Sequence, residues 1–206
     1  MKESGLRSVL SALIDLIWAG LLWLVCSLPV ITLGASSTAL YYAVVKSVRH
    51  ERSRVSSSFF HAFRRNFRLS TFLWLLCLAW LAIGGSDAYA LQCMGVQRGE
   101  VLYYISRLFF LPVPLLFPWI FAFVSRFENT LVGTVKYCAY LAMRHIGKTL
   151  ALTAELTGFV LICWLLPAFL LILPGAMCML MSLHLEPVFQ SITAGRNEGN
   201  DAWYNE

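Results

Sequence analysis

Charge is scarce in this chain. Asp, Glu, Lys and Arg together make up 13% of its 206 residues, and hydrophobic residues make up 59%. Soluble domains carry about 25% and about 45–50%. So thin a supply of charge excludes an ordinary water-facing surface and leaves no room for a separate soluble catalytic domain. Paired cysteines are also missing. The six cysteines, at positions 26, 77, 93, 138, 163 and 178, include no CxxC pair, which excludes the common zinc and dithiol spacings. Most lie in apolar runs, where a thiol behaves as a small hydrophobe, so no disulfide framework is expected. Catalytic signatures are absent too: there is no GxSxG, no HExxH and no phosphate-cradling glycine loop. No catalytic residue, cofactor or metal site is expected, and the chain is not expected to be an enzyme. Acidic residues are outnumbered eleven to sixteen, for a net charge of +5. That excess does not point to nucleic acid, because the basic residues sit between apolar runs and build no basic domain of their own.

What the chain has in abundance is long apolar sequence. Runs cover residues 10–28, 35–48, 69–86, 101–124, 149–166 and 168–185. An apolar helix of about 20 residues rises about 30 Å, the thickness of the bilayer's hydrocarbon layer. The expected fold is therefore all-α: a polytopic transmembrane helix bundle in one integral membrane domain, with five or six membrane segments and amphipathic interfacial helices. The first run is longer than the apolar core of a signal peptide, so it reads as an uncleaved span. Two arrangements fit the N-terminal third. Pro29 and Gly34 can end one helix and begin another, giving a hairpin, six segments and an inside N-terminus. Alternatively the first run crosses once, the next piece lies at the interface, and five spans leave the N-terminus outside. Lys2 and Arg7 favour the hairpin. The second segment, about 21 Å long at 1.5 Å per residue, counts against it.

Basic residues orient membrane proteins by staying in the cytoplasm. Lys46, Arg49, Arg52, Arg54, Arg64, Arg65 and Arg68 lie between the early runs and the run at 69–86, and Arg126, Lys136, Arg144 and Lys148 lie between 124 and 149. Both loops are placed in the cytoplasm. The loop around Gln92 to Glu100 and the turn near Pro167 face outward, and the polar tail 187–206 is cytoplasmic.

Phe59, Phe63 and Phe67 recur every four residues and so share a helix face, with Arg64, Arg65 and Arg68 largely off it. This suits a helix lying in the cytoplasmic interface, its rings in the acyl boundary and its guanidinium groups on anionic headgroups, a connector packed under the bundle, or a docking site for a partner. Residues 131–145 show a weaker pattern of the same kind. Pro112, Pro114 and Pro118 would bend the helix that contains them, as in segments that line cavities. Intramembrane ionisable residues are candidate functional groups. Asp15 and Glu155 lie deepest in their runs, whereas Asp87, Arg107 and Glu186 lie near run ends, where a charge can reach headgroups.

Three stretches carry a family resemblance: SLPVITLGASSTALYY at 27–42, SFFHAFRRNF at 58–67, and RFENTL at 126–131 followed by Arg144 and His145. Within RFENTL, Arg126, Glu128 and Asn129 stand out. In their order and spacing these stretches resemble the YesL family of small bacterial membrane proteins, whose function is itself unassigned. The resemblance implies a multi-pass protein of the bacterial cytoplasmic membrane, with genes that neighbour carbohydrate-uptake genes. It therefore implies a non-enzymatic accessory whose partners are the lipid bilayer and sugar ABC-transporter permease subunits. The alternative is a small transporter or channel in its own right, with Asp15, Glu155 and the proline-rich helix along its path.

Overall fold

The computed structural model describes residues 2–49, 53–94 and 101–194, so residues 95–100 of the predicted outer loop and the end of the predicted tail lie outside it. The described residues form helices and no strand. Helix α1 spans Lys2–Ser27, α2 Leu33–Ala43, α3 Val55–Cys93, α4 Val101–Leu108, α5 Pro112–Arg126, α6 Leu131–Arg144, α7 Ile146–Leu165 and α8 Leu173–Ala194. A π-helical segment, Val44–Arg49, extends α2.

Four helical stretches are long and apolar enough to cross a bilayer: Leu10–Ser27, Val55–Cys93, Val101–Arg126 and Ile146–Leu165. Their outer surfaces carry large apolar side chains, including Leu10, Ile14, Leu75, Leu76, Leu161 and Trp164, the last 83% exposed. Apolar surface on this scale has no place in water, and the protein is membrane-embedded.

Helix α2 is the axis of the bundle. Gly34, Ala35, Ser36, Thr38, Ala39 and the residues on to Ser47 are buried. Short side chains let neighbouring backbones approach closely. At Gly34 an added Cβ would lie 2.6 Å from the Ser70 carbonyl oxygen and 2.9 Å from a Phe121 ring carbon. One turn on, the Thr38 and Ser70 hydroxyls meet at 2.9 Å. The chain reverses between α1 and α2 through Leu28 and Pro29 and a short 3-10 turn, Val30–Thr32. Trp23 Nε1 donates to Ser37 Oγ across this hairpin at 3.2 Å.

The helix boundaries differ from the sequence reading in three places. The predicted interfacial helix before residue 69 is not separate. It is the first third of α3, which runs unbroken for 39 residues, about 58 Å at 1.5 Å per residue. The reason is α2. Phe59 is fully buried and Phe63 partly buried against the α1–α2 hairpin, so the aromatic stripe meets protein there, and only Phe67 at its end is 37% exposed. The run 101–124 is interrupted at Phe109–Leu111, because Pro112 opens α5 and brings no N–H to continue the ladder. Pro118 lies inside α5 without ending it. The run 168–185 begins as a 3-10 turn, Pro167–Leu171. Its helix continues to Ala194, with Val188 and Phe189 buried, so the first eight residues of the predicted polar tail belong to the bundle.

Substituting Ala at Gly34 presses a methyl group onto Trp74, Ser70 and Phe121. It is expected to cost about 1–3 kcal/mol, read as a lower unfolding midpoint in detergent. An unchanged midpoint would show that α2 is loosely held.

Candidate functional site

The chain's polar chemistry is concentrated where α5 ends. Arg126, the last residue of α5, donates from Nη1 to Glu186 Oε2 on α8 at 2.7 Å. Both side chains are almost completely buried. The Tyr41 hydroxyl on α2 donates to the other carboxylate oxygen at 3.1 Å. The Arg126 guanidinium also lies over the Phe127 and Phe189 rings, 5.5 and 5.6 Å from their centroids, a favourable place for a cation. Three helices distant in sequence are thus tied by one carboxylate.

The neighbouring residues repeat the theme. Glu128 Oε1 accepts from Arg65 Nη2 at 2.8 Å and from Arg65 Nε at 3.2 Å, joining the two basic segments at one end of the bundle. Asn129 Oδ1 accepts from the Thr130 N–H at 2.8 Å. Thr130 Oγ1 accepts from the Gly133 N–H at 3.3 Å and caps α6. The stretch Arg126–Thr130 therefore fastens α5 to α8, α3 and α6. At the far end of α6, burial lowers the pKa of His145, and the charges of Lys148 and Arg144 lower it further. Both effects favour the neutral imidazole among these cations.

A second ionisable pair joins α7 to α8. Glu155 Oε1 lies 3.1 Å from His184 Nε2. The other oxygen, Oε2, is buried with no hydrogen-bond partner among the described residues. Asp15, the other deep carboxylate, is half-buried on α1 and makes no ion pair with Glu155 or any other described residue. The two are not brought together. On α3, Arg64, Arg65 and Arg68 are exposed on the side away from Phe59. Arg64 and Arg65 line a shallow open groove with Ser56, Phe60 and His61. Among the described residues no cluster of three or more His, Cys, Asp or Glu side chains could hold a metal ion.

In the sequence Glu186 lies near a run end, where a charge can reach headgroups. Its run end proves to be the middle of α8, and its partner Tyr41 is 145 residues away, a separation no local pattern reports. His184 stands beside Glu186 in the sequence, but its pairing with Glu155 depends on how α7 folds back on α8.

Removing one member of a buried pair strands the other, at about 3–5 kcal/mol, whereas replacing both by apolar side chains is often neutral. Glu186→Ala is expected to lower the unfolding free energy in micelles by that amount, and the double variant Arg126→Met, Glu186→Leu to recover most of it. Equal losses in the two variants would show that the pair contributes through something other than charge compensation.

No curated protein and no solved structure matches the chain. A family model described as "Protein of unknown function, DUF624" matches residues 16–88. The match covers the second half of α1, all of α2 and most of α3, and with them the two resemblance stretches at 27–42 and 58–67. The Arg126–Thr130 hub lies beyond it. In its first three helices the chain is similar to an uncharacterised domain family.

Proposed function

We propose that this membrane protein is a non-enzymatic accessory of carbohydrate uptake, docking on a sugar permease through the basic side of α3. The observation that carries the reading is the division of charge. Arg126, Glu186, Arg65 and Glu128 are engaged within the fold, whereas Arg64 and Arg68 stand exposed beside Phe60 and Phe67, which are 43% and 37% exposed. Exposed Arg with exposed aromatic rings is the composition of a recognition surface. The link to carbohydrate rests on the resemblance to the YesL family. The basic end of the bundle is assigned to the cytoplasm by the distribution of Lys and Arg, and the α1–α2 hairpin accords with a cytoplasmic N-terminus. In this reading α2 and α8 supplement the four long apolar helices to give six membrane segments.

The test is capture. A tagged copy, cross-linked in native membranes and purified in mild detergent, is expected to bring down sugar-permease subunits. The double variant Arg64→Glu, Arg68→Glu is expected to lose most of that yield while keeping its unfolding midpoint. Capture without any permease subunit, or capture indifferent to the charge reversal, overturns the reading.

One observation favours a second reading, a small transporter. The Glu155–His184 contact places two ionisable groups on neighbouring helices in apolar surroundings, as in proton relays. Solute flux into vesicles carrying the purified protein, lost in Glu155→Gln, would support it. Equal flux in the two proteins would remove it.

A further inference from the structure

A cavity of about 230 Å³ lies between α1, α2, α5, α7 and α8. None of the interactions described above accounts for it. Its walls are carbon and sulfur, with Leu156 and Phe159 from α7, Met177, Cys178 and Met181 from α8, and Phe121 from α5. Two hydroxyls border it, and both are engaged. Ser37 Oγ accepts from Trp23 Nε1, and the Tyr41 hydroxyl donates to Glu186.

Three contents are conceivable: water, nothing, or hydrocarbon. A buried water needs 2–4 polar partners, which these walls do not offer. An empty space forfeits the dispersion contacts of every atom that lines it, and protein interiors pack as densely as organic crystals. Hydrocarbon fits, and the position of the mouth supplies it. Trp23 on α1 and Phe159 on α7 bridge the two helices edge to face, with centroids 6.5 Å apart. Val160 on the cavity rim is 57% exposed. Helices α1 and α7 are both of membrane-crossing length and composition. The phase outside the mouth is therefore the interior of the bilayer.

We propose that this cavity is a binding site for one acyl chain of a membrane phospholipid, entering between α1 and α7 past Trp23, Phe159 and Val160. The site is independent of the accessory reading, since it faces lipid and uses none of the α3 arginines.

The test is photolabelling of the full chain in nanodiscs containing a phosphatidylglycerol with a diazirine in its acyl chain. After irradiation and digestion, adducts are expected on Met177, Cys178 or Met181 at least as often as on the outward-facing Leu161 and Leu165. Adducts confined to the outward residues mean a dry or hydrated void and overturn the proposal. Val160→Trp narrows the mouth at an exposed position, its unfolding midpoint in detergent serving as the check on folding. The substitution is expected to reduce the cavity adducts several-fold and leave those on Leu161 and Leu165 unchanged. Cavity adducts that persist undiminished in this variant overturn entry between α1 and α7.

Discussion

A bilayer interior supplies no water to unpaired backbone groups, so every break in a membrane helix has to be satisfied from within the protein. This chain breaks its helices repeatedly, and side chains meet the exposed carbonyls. At the α1–α2 turn, Thr32 Oγ1 lies within hydrogen-bonding distance of the Cys26 and Pro29 carbonyls and donates to one of them, and Trp74 Nε1 donates to the Val30 carbonyl at 2.7 Å. At the α4–α5 break, Trp80 Nε1 donates to the Phe109 carbonyl at 2.8 Å, its ring stacked on that of Phe109 at 4.3 Å. At the α6–α7 junction, among the basic residues of the bundle's end, the same need arises from burial in protein: Thr149 Oγ1 lies within hydrogen-bonding distance of the Ala142 and His145 carbonyls and accepts from Trp119 Nε1. Indole suits the task because it offers a single donor on a large apolar body. Two of these donors, Trp74 and Trp80, come from the long helix α3.

The same constraint explains the buried charges. A lone carboxylate or guanidinium in such an interior is strongly unfavourable. Glu186 and Arg126 are tolerated because each compensates the other, because Tyr41 supplies a further donor, and because two aromatic faces lie beside the guanidinium. The result is a junction with one arrangement. Helices α5 and α8 cannot slide past one another without separating the pair, nor α2 past α8 without breaking the Tyr41 hydrogen bond. Arg126 and Glu186 hold α5 and α8 together, while Arg64 and Arg68 on α3 stay exposed.

The α1–α2 hairpin illustrates how local signals and packing divide the work. In the sequence alone Pro29 and Gly34 mark only an interruption of the apolar run, and the close approach at Gly34 belongs to the packed fold. Nor can the burial of Phe59 be read from the sequence. A phenylalanine stripe with arginines beside it has the same periodicity whether it lies on lipid or on another helix. Only the presence of α2 alongside turns an interfacial pattern into the opening of a 39-residue helix. Asp15 and Glu155 were equally prominent in the sequence, yet only Glu155 finds a partner among the described residues, because α8 folds back on α7 and no comparable neighbour faces Asp15.

By itself, the sequence determined that the chain is helical, that it belongs in a membrane, and where some of its helices break. Those properties depend on hydrophobic run length and on proline and glycine, which act over a few residues. The tertiary structure alone decided that α2 is the buried axis, that Glu186 joins Arg126 and Tyr41, and that α1, α2, α5, α7 and α8 enclose an apolar cavity. Each of these depends on residues tens to more than a hundred positions apart meeting in space, and hydropathy and periodicity carry no information about which helices will be neighbours.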